Sequence, residues 1–287
     1  MLLVHRVISQ EYHSQFVLDL LRNIPGLTWT PEIPSRFQGY SKEQIQMHLM
    51  PALRKSTLPK TILTGDAPVQ FSWLDERPEC LQVRDQGNCG SCWAFSAVGQ
   101  FADNRCLRGL DKVRAQHSEQ YMVSCDTNSE GCNGAYNMIA PQNFLKKTGV
   151  PKNKCVPYKS GQKGVTGKCP TQCTDGAPLL LLKSTNFEDV CSNEESIKMA
   201  ITQGAVQTAF TVYSDFAYYK KGIYQYEYGN NEGDHAVVFN GYGIENGVKY
   251  WLVRNSWGES WGEKGYFRII RGKNECGIED SCFLTYV

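Results

Sequence analysis

Apolar residues recur at helical spacing early in the chain. After Ser14, a candidate cap, Phe16, Val17, Leu20, Leu21 and Ile24 fall on one face of a predicted helix. Three prolines in Pro25–Pro34 predict extended chain, and Ser41-x-x-Gln44 reads as a capping box ahead of Ile45 and Leu49. Ala94, Ala97, Val98 and Phe101 predict a helix from Cys92 to Arg108, stopped by Gly109. Ser118-Glu119 opens a short helix, and residues 134–148 read as helical despite Pro141. Ser192-x-x-Glu195 caps a helix that should end at Gly204. The pattern then changes. Val206–Tyr213, His235–Tyr242, Lys249–Asn255, Gly265–Arg271 and Phe283–Val287 are β-branched or aromatic, punctuated by glycine. Helices first and strands later predict an α+β chain in two halves.

Composition narrows the class. The longest apolar runs, such as Ala177–Leu182, are far short of the ~18–20 residues that cross a membrane. A net charge of +1 over 287 residues argues against a nucleic-acid binder. All twelve cysteines lie beyond residue 66, which sets a boundary between residues 1–66 and 67–287. Two short helices and an extended tail bury little alone, so the first segment should lie on the second. So many cysteines beside a large core point to an oxidising compartment and several disulfides. Cys89-x-x-Cys92 and Cys169-x3-Cys173 also approach zinc-ligand or redox spacing. The apolar start Met1–Val4 is broken by His5 and Arg6, too soon for a secretory signal core, so the signal peptide is missing or atypical. No Asn-x-Ser/Thr glycan acceptor is present.

Candidate chemistry concentrates in Gln86-Gly-Asn-Cys89-Gly-Ser-Cys92-Trp-Ala-Phe95, where glycines lead into a helix that begins at a cysteine. The unpaired N–H groups and dipole of a helix start favour a thiolate there. A nucleophilic cysteine needs a base. Of the five histidines, His5, His13 and His48 precede the boundary, which leaves His117 beside a helix start and His235 at a strand start. Asn255 follows in Asn255-Ser-Trp257-Gly. Each residue has a plain alternative: a disulfide cysteine, a structural histidine, a turn asparagine, a core tryptophan and a solvated Gln86.

Taken together, Cys89-Gly-Ser-Cys92-Trp with a distant His235 and Asn255 resembles the papain-like cysteine proteases over essentially the whole chain. The resemblance implies a two-lobed papain-like fold, helical on the left and β-rich on the right, with residues 1–66 as an inhibitory prosegment in the cleft. That prosegment would run against substrate direction. It implies Cys92 as nucleophile, His235 as base, Asn255 orienting the imidazole, and Gln86 with the Cys92 N–H as oxyanion donors. Trp257 would shield the Asn–His bond. Val212–Phe216, Lys221–Gln225 and Cys276–Glu279 look like the cathepsin B branch. By the same resemblance the pairs are Cys80–Cys106, Cys89–Cys132, Cys125–Cys169 and Cys155–Cys173. Cys191–Cys282 is a candidate fifth, and Cys276 is left free. Maturation would cut near Asp66–Pro68.

Two departures bear on specificity. The stretch Cys155–Cys173 is short and holds no histidine, so the His pair with which cathepsin B grips a substrate's C-terminal carboxylate is missing. An endopeptidase with limited exopeptidase activity is expected. The acidic floor of cathepsin B's second subsite aligns with Ser281, next to Asp280, which puts a preference for arginine there in doubt. Gly134 matches the substrate-strand segment, although Ala135 replaces a second glycine. Implied partners are protein and peptide substrates, the chain's own prosegment and cystatin-like inhibitors, with a monomer, no cofactor and no metal. A lysosome-like vacuole or secretion is the implied location. The rival is a peptide-binding homologue without catalysis, against which the intact Gln86, Cys92, His235 and Asn255 argue.

Overall fold

The computed structural model describes residues 12–287. The reading of Met1–Val4 and His5 lies outside them. The N-terminal segment forms α1 (Gln15–Arg22), strand β1 (Trp29–Pro31) and α2 (Lys42–Gln46). Ser14 caps α1, its Oγ accepting from the Val17 N–H at 3.2 Å. The buried face of α1 differs from the sequence reading: Leu18 and Leu21 point inward, while Phe16 is 73% exposed. The helix entry is held at both ends of a two-residue step. The Ser14 N–H donates to Tyr218 Oη at 2.9 Å, and His13 Nε2 lies 3.1 Å from the Ala217 carbonyl. This docking turns the helix onto its Leu18 side. At α2 both halves of the Ser41–Gln44 capping box are formed.

The helical half comprises a short strand β2 (Phe71–Ser72), α3 (Trp73–Glu76), α4 (Cys92–Leu107), α5 (Glu119–Cys125), α6 (Ile139–Lys147) and α7 (Ser160–Lys163). Helix α4 is buried on every side and forms the spine of this half. Ser118 caps α5 through the Tyr121 N–H at 2.9 Å. Helix α6 begins at Ile139, later than the pattern suggested, because Gly134 adopts φ +105° and carries the chain past α4 in a non-helical stretch. Pro141 then falls in the first turn, where its missing N–H would have no intrahelical partner anyway.

The β half adds β3 (Asn186–Asp189), α8 (Glu194–Gln203), β4 (Val206–Tyr213), β5 (Tyr219–Tyr224), β6 (Asn231–Glu245), β7 (Val248–Arg254), β8 (Tyr266–Ile270) and β9 (Phe283–Tyr286). Asn193, rather than Ser192, caps α8, accepting from the Ser196 N–H at 2.9 Å. The sheet order is β1-β5-β8-β7-β6-β4-β9-β3, with β2 also on β6. Strands β3 and β5 were not apparent from the pattern. They are short, and β5 carries Lys220, Lys221 and Gly222 where alternation would be read. The N-terminal segment extends this sheet, since β1 pairs antiparallel with β5.

Two hydrophobic cores result. One centres on the sheet and takes in Leu18, Leu21, Trp29, Phe37, Ile45 and Leu49 of the N-terminal segment. The other centres on α4 and takes in Met50. The chain therefore crosses from one core to the other between Leu49 and Met50. Disulfides join Cys80–Cys106, Cys89–Cys132, Cys125–Cys169, Cys155–Cys173 and Cys191–Cys282, while Cys92 and Cys276 are free.

Candidate active site

Cys92 is the first residue of α4 and has no solvent exposure. The loop before it is tight: Gly87 adopts φ +57°, and a Cβ there would come within 2.5 Å of the Gly161 carbonyl oxygen. The thiol is pushed up to about 12 by burial, against the pull of the Ala236 N–H and of the Trp93 and Cys92 N–H groups. Helix position alone predicts the opposite. Here desolvation outweighs the dipole, because the thiol is fully buried.

Ala236, whose N–H faces the thiol, directly follows His235 in β6. Nε2–H of His235 donates to Asn255 Oδ1 at 2.7 Å. The Trp257 ring lies 4.7 Å from the imidazole. Burial pushes His235 down to about 4, although the Asn255 bond works the other way. Gln86 is buried, not solvated. Its Nε2 donates to the carbonyls of Cys89 and His48, each at 2.9 Å, and its Oε1 accepts from Ser256 Oγ at 2.6 Å. Tyr158 Oη donates to the Gln86 carbonyl at 2.7 Å. Ser256 and Tyr158 carried no sequence signal, since their role is to hold Gln86 from elements distant along the chain. His117 lies elsewhere, edge-on to Phe101 of α4.

Residues 48–54 pass between the two halves over these groups. Met50 and Asp234 exchange backbone hydrogen bonds of 2.7 and 3.0 Å, the Leu53 N–H donates to Asp234 Oδ2 at 2.6 Å, and the Arg54 N–H donates to the Tyr136 carbonyl at 2.8 Å. Close approach requires Gly134: a Cβ there would lie 2.7 Å from Pro51 Cδ. Ala135 beside it is fully buried. The His48 carbonyl accepts from the Gln86 amide and lies against His235. Phe37 stacks edge-on to Trp257 at 5.2 Å, and Arg36 forms a bidentate pair with Asp85 beside Gln86.

Ser281 and Asp280 border an adjacent pocket of about 260 Å³ with Ala209, Phe210 and Thr211. Ser281 Oγ accepts from the Ser56 N–H at 3.2 Å, and Lys55 Nζ lies 3.1 Å from Asp280 Oδ2. The Cys155–Cys173 stretch packs behind the Gln86 loop, where Gly161 accepts from the Asn88 N–H at 2.8 Å. It has no histidine, but Lys159, Lys163 and Lys168 are exposed on it. Among the described residues no cluster of side chains is placed to hold a metal, and no helix is long and apolar enough to cross a membrane.

Comparison with known proteins decides the family. The model of the papain family of cysteine proteases matches residues 67–286. The chain belongs to that family. It is 48% identical over 261 residues to "Cathepsin B-like CP3" of Giardia intestinalis, covering 88% of this chain and 87% of that one. It is 35% identical over 309 residues to "Cathepsin B-like cysteine proteinase 5" of Caenorhabditis elegans, covering 93% and 88%. Among solved structures it resembles procathepsin B S9 of Trypanosoma congolense, with a TM-score of 0.88, 27% identity, and 96% and 98% of the two chains covered. The protein is thus a cathepsin B-like cysteine protease with the α+β papain fold. Solved neighbours are proenzymes that carry prosegments.

Proposed function

We propose that this chain is a latent cysteine endopeptidase in which Cys92 attacks the scissile carbonyl, His235 accepts its proton and later protonates the leaving amine, and Asn255 orients the imidazole. Gln86 Nε2 and the Cys92 N–H donate to the oxyanion. The observation that carries this reading is the His48 carbonyl resting on Gln86 Nε2 beside His235. Residues 1–66 are the inhibitor and 67–287 the peptidase domain, with release by a cut near Asp66–Pro68. Latency has a physical basis in the same residues. Burial favours thiol and neutral imidazole together, whereas the reactive state is the thiolate–imidazolium pair. Uncovering the cleft removes the desolvation that opposes it.

An open primed side follows from the short Cys155–Cys173 stretch, and Ser281 suits an apolar residue in the second subsite. Asp280 at the rim can meet a cation, as it meets Lys55. Five disulfides suit an oxidising compartment, a lysosome-like vacuole or the cell exterior.

The test is incubation at mildly acidic pH, following chain mass and hydrolysis of a blocked fluorogenic peptide, with Cys92→Ala and an epoxide thiol trap as controls. Loss of about 66 residues, with activity that both controls abolish, is expected on the assigned boundary. A trimmed chain that neither cleaves the peptide nor takes up the trap would overturn the proposal in favour of a binding homologue.

A further inference from the structure

Behind the cysteine and histidine, between α4 and the β6–β7 hairpin, lies a crevice of about 20 Å³ walled by Arg84, Ser96, Gly99, Val238, Arg254 and Asn255. One water-sized species needs ~10–15 Å³, so there is room for one. Gly99 keeps it open, since a Cβ there would come within 3.1 Å of Arg254 Nη2.

Two observations bear on what fits. Among the described residues, Arg254 Nη1 and Asn255 Nδ2 are buried without a hydrogen-bond partner, and their residues are 4% and 3% exposed. Both are pure donors. The second observation is charge. Asp103 is shared by Arg254 Nη2 at 2.5 Å and Arg114 Nε at 2.6 Å, while Glu119 pairs with Arg84 at 3.1 Å. Three guanidiniums thus meet two carboxylates in a largely buried cluster. An uncompensated buried charge is costly.

We propose that this crevice binds one small monovalent anion of halide size, held by Arg254 Nη1 and Asn255 Nδ2. Fixing the Asn255 amide nitrogen from behind keeps Oδ1 turned to His235, so the anion is a positioning element for the cleft. A chloride-sized ion fits, whereas carboxylate and sulfate ions are too large for this volume.

The experiment grows crystals of the full chain in bromide without chloride and records anomalous scattering at the bromine edge. A single peak in the crevice is expected, together with a saturable rise in melting temperature in sodium chloride over sodium acetate at matched ionic strength. Arg254→Met should abolish the thermal response. Should that variant not fold, Gly99→Ala, which crowds the crevice, should weaken the response instead. An empty or water-filled crevice in bromide, or melting that follows ionic strength whatever the anion, would overturn the proposal. So would a peak without a saturable response in solution, which marks an adventitious ion only. In the processed enzyme, removing chloride should lower kcat several-fold with KM little changed. That readout alone rests on the catalytic reading; diffraction and melting do not.

Discussion

Two side chains at the cleft have their charge states set by what covers them. With Cys92 pushed up to about 12 and His235 down to about 4, both are neutral between those values in the covered chain. Alkylation of Cys92 by iodoacetamide at pH 6 should therefore be slow in the intact chain and faster by at least ~100-fold after processing, because the thiolate is the reactive form. Equal rates before and after processing would contradict the account. Gln86→Ala should lower kcat by about 10²–10³-fold with a small change in KM, as removal of one oxyanion donor does. Steady-state kinetics of the processed variant would read this out.

His48 should act as an acid trigger. It is 1% exposed, with Nδ1 2.9 Å from the Gln44 carbonyl, and burial followed by the Arg36 charge pushes it down to about 4. His235, Asp85 and Tyr40 are the other titratable groups facing it. Its ordinary value is 6.5, so the undocked segment binds the proton more readily than the docked one. Docking strength is thus intact above about pH 6.5 and falls as pH drops towards 4, by up to ~3 kcal/mol. His48→Gln, which cannot titrate, should move the activation midpoint to lower pH. An unchanged midpoint in a pH series of chain mass would remove His48 as the trigger. Burial works against the Arg36–Asp85 pair, yet the guanidinium holds Asp85 below its usual range, so this contact persists at mildly acidic pH.

At the scale of elements, the prosegment is held by a strand, two helices and one extended crossing. Gly134 lies where that crossing passes closest to the helical half, and its φ of +105° is strained for any side chain. Gly134→Ala should weaken inhibition by an added prosegment peptide and raise KM for substrates together, by roughly tenfold each. Inhibition and substrate kinetics on the same processed variant would test this. A change in only one would show that prosegment and substrate do not share this contact. Strand β1 adds an edge to the sheet through β5, so much of the prosegment's hold lies on the β half, away from the cleft.

At the scale of the molecule, the cleft between two cores is closed by one chain that contributes to both. Once it leaves, the Cys155–Cys173 stretch should leave the primed side open. Internal cleavage of a blocked peptide should therefore exceed release of C-terminal dipeptides from a free peptide by at least ~10-fold. Rapid dipeptide release would instead implicate Lys159, Lys163 or Lys168 as the carboxylate's partner. Paired assays on one preparation would separate the outcomes.

The sequence by itself determined the elements and the chemistry that local pattern encodes. Periodicity placed α4 and β4 within a residue of their observed ends, and the Ser14 and Ser41 caps are formed as read. The motif around Cys92 stood out locally, whereas His235 and Asn255 became candidates only in combination with it. Local pattern read β1 only as extended chain and did not reveal β5; pairing makes them strands, β1 on β5 and β5 also on β8. Nor did it reveal Ser256 and Tyr158, whose hydrogen bonds to Gln86 span 170 and 72 residues. The tertiary structure also reversed one electrostatic expectation. A helix start favours the thiolate, but only the assembled fold determines how much water the thiol retains, and desolvation is the larger effect here.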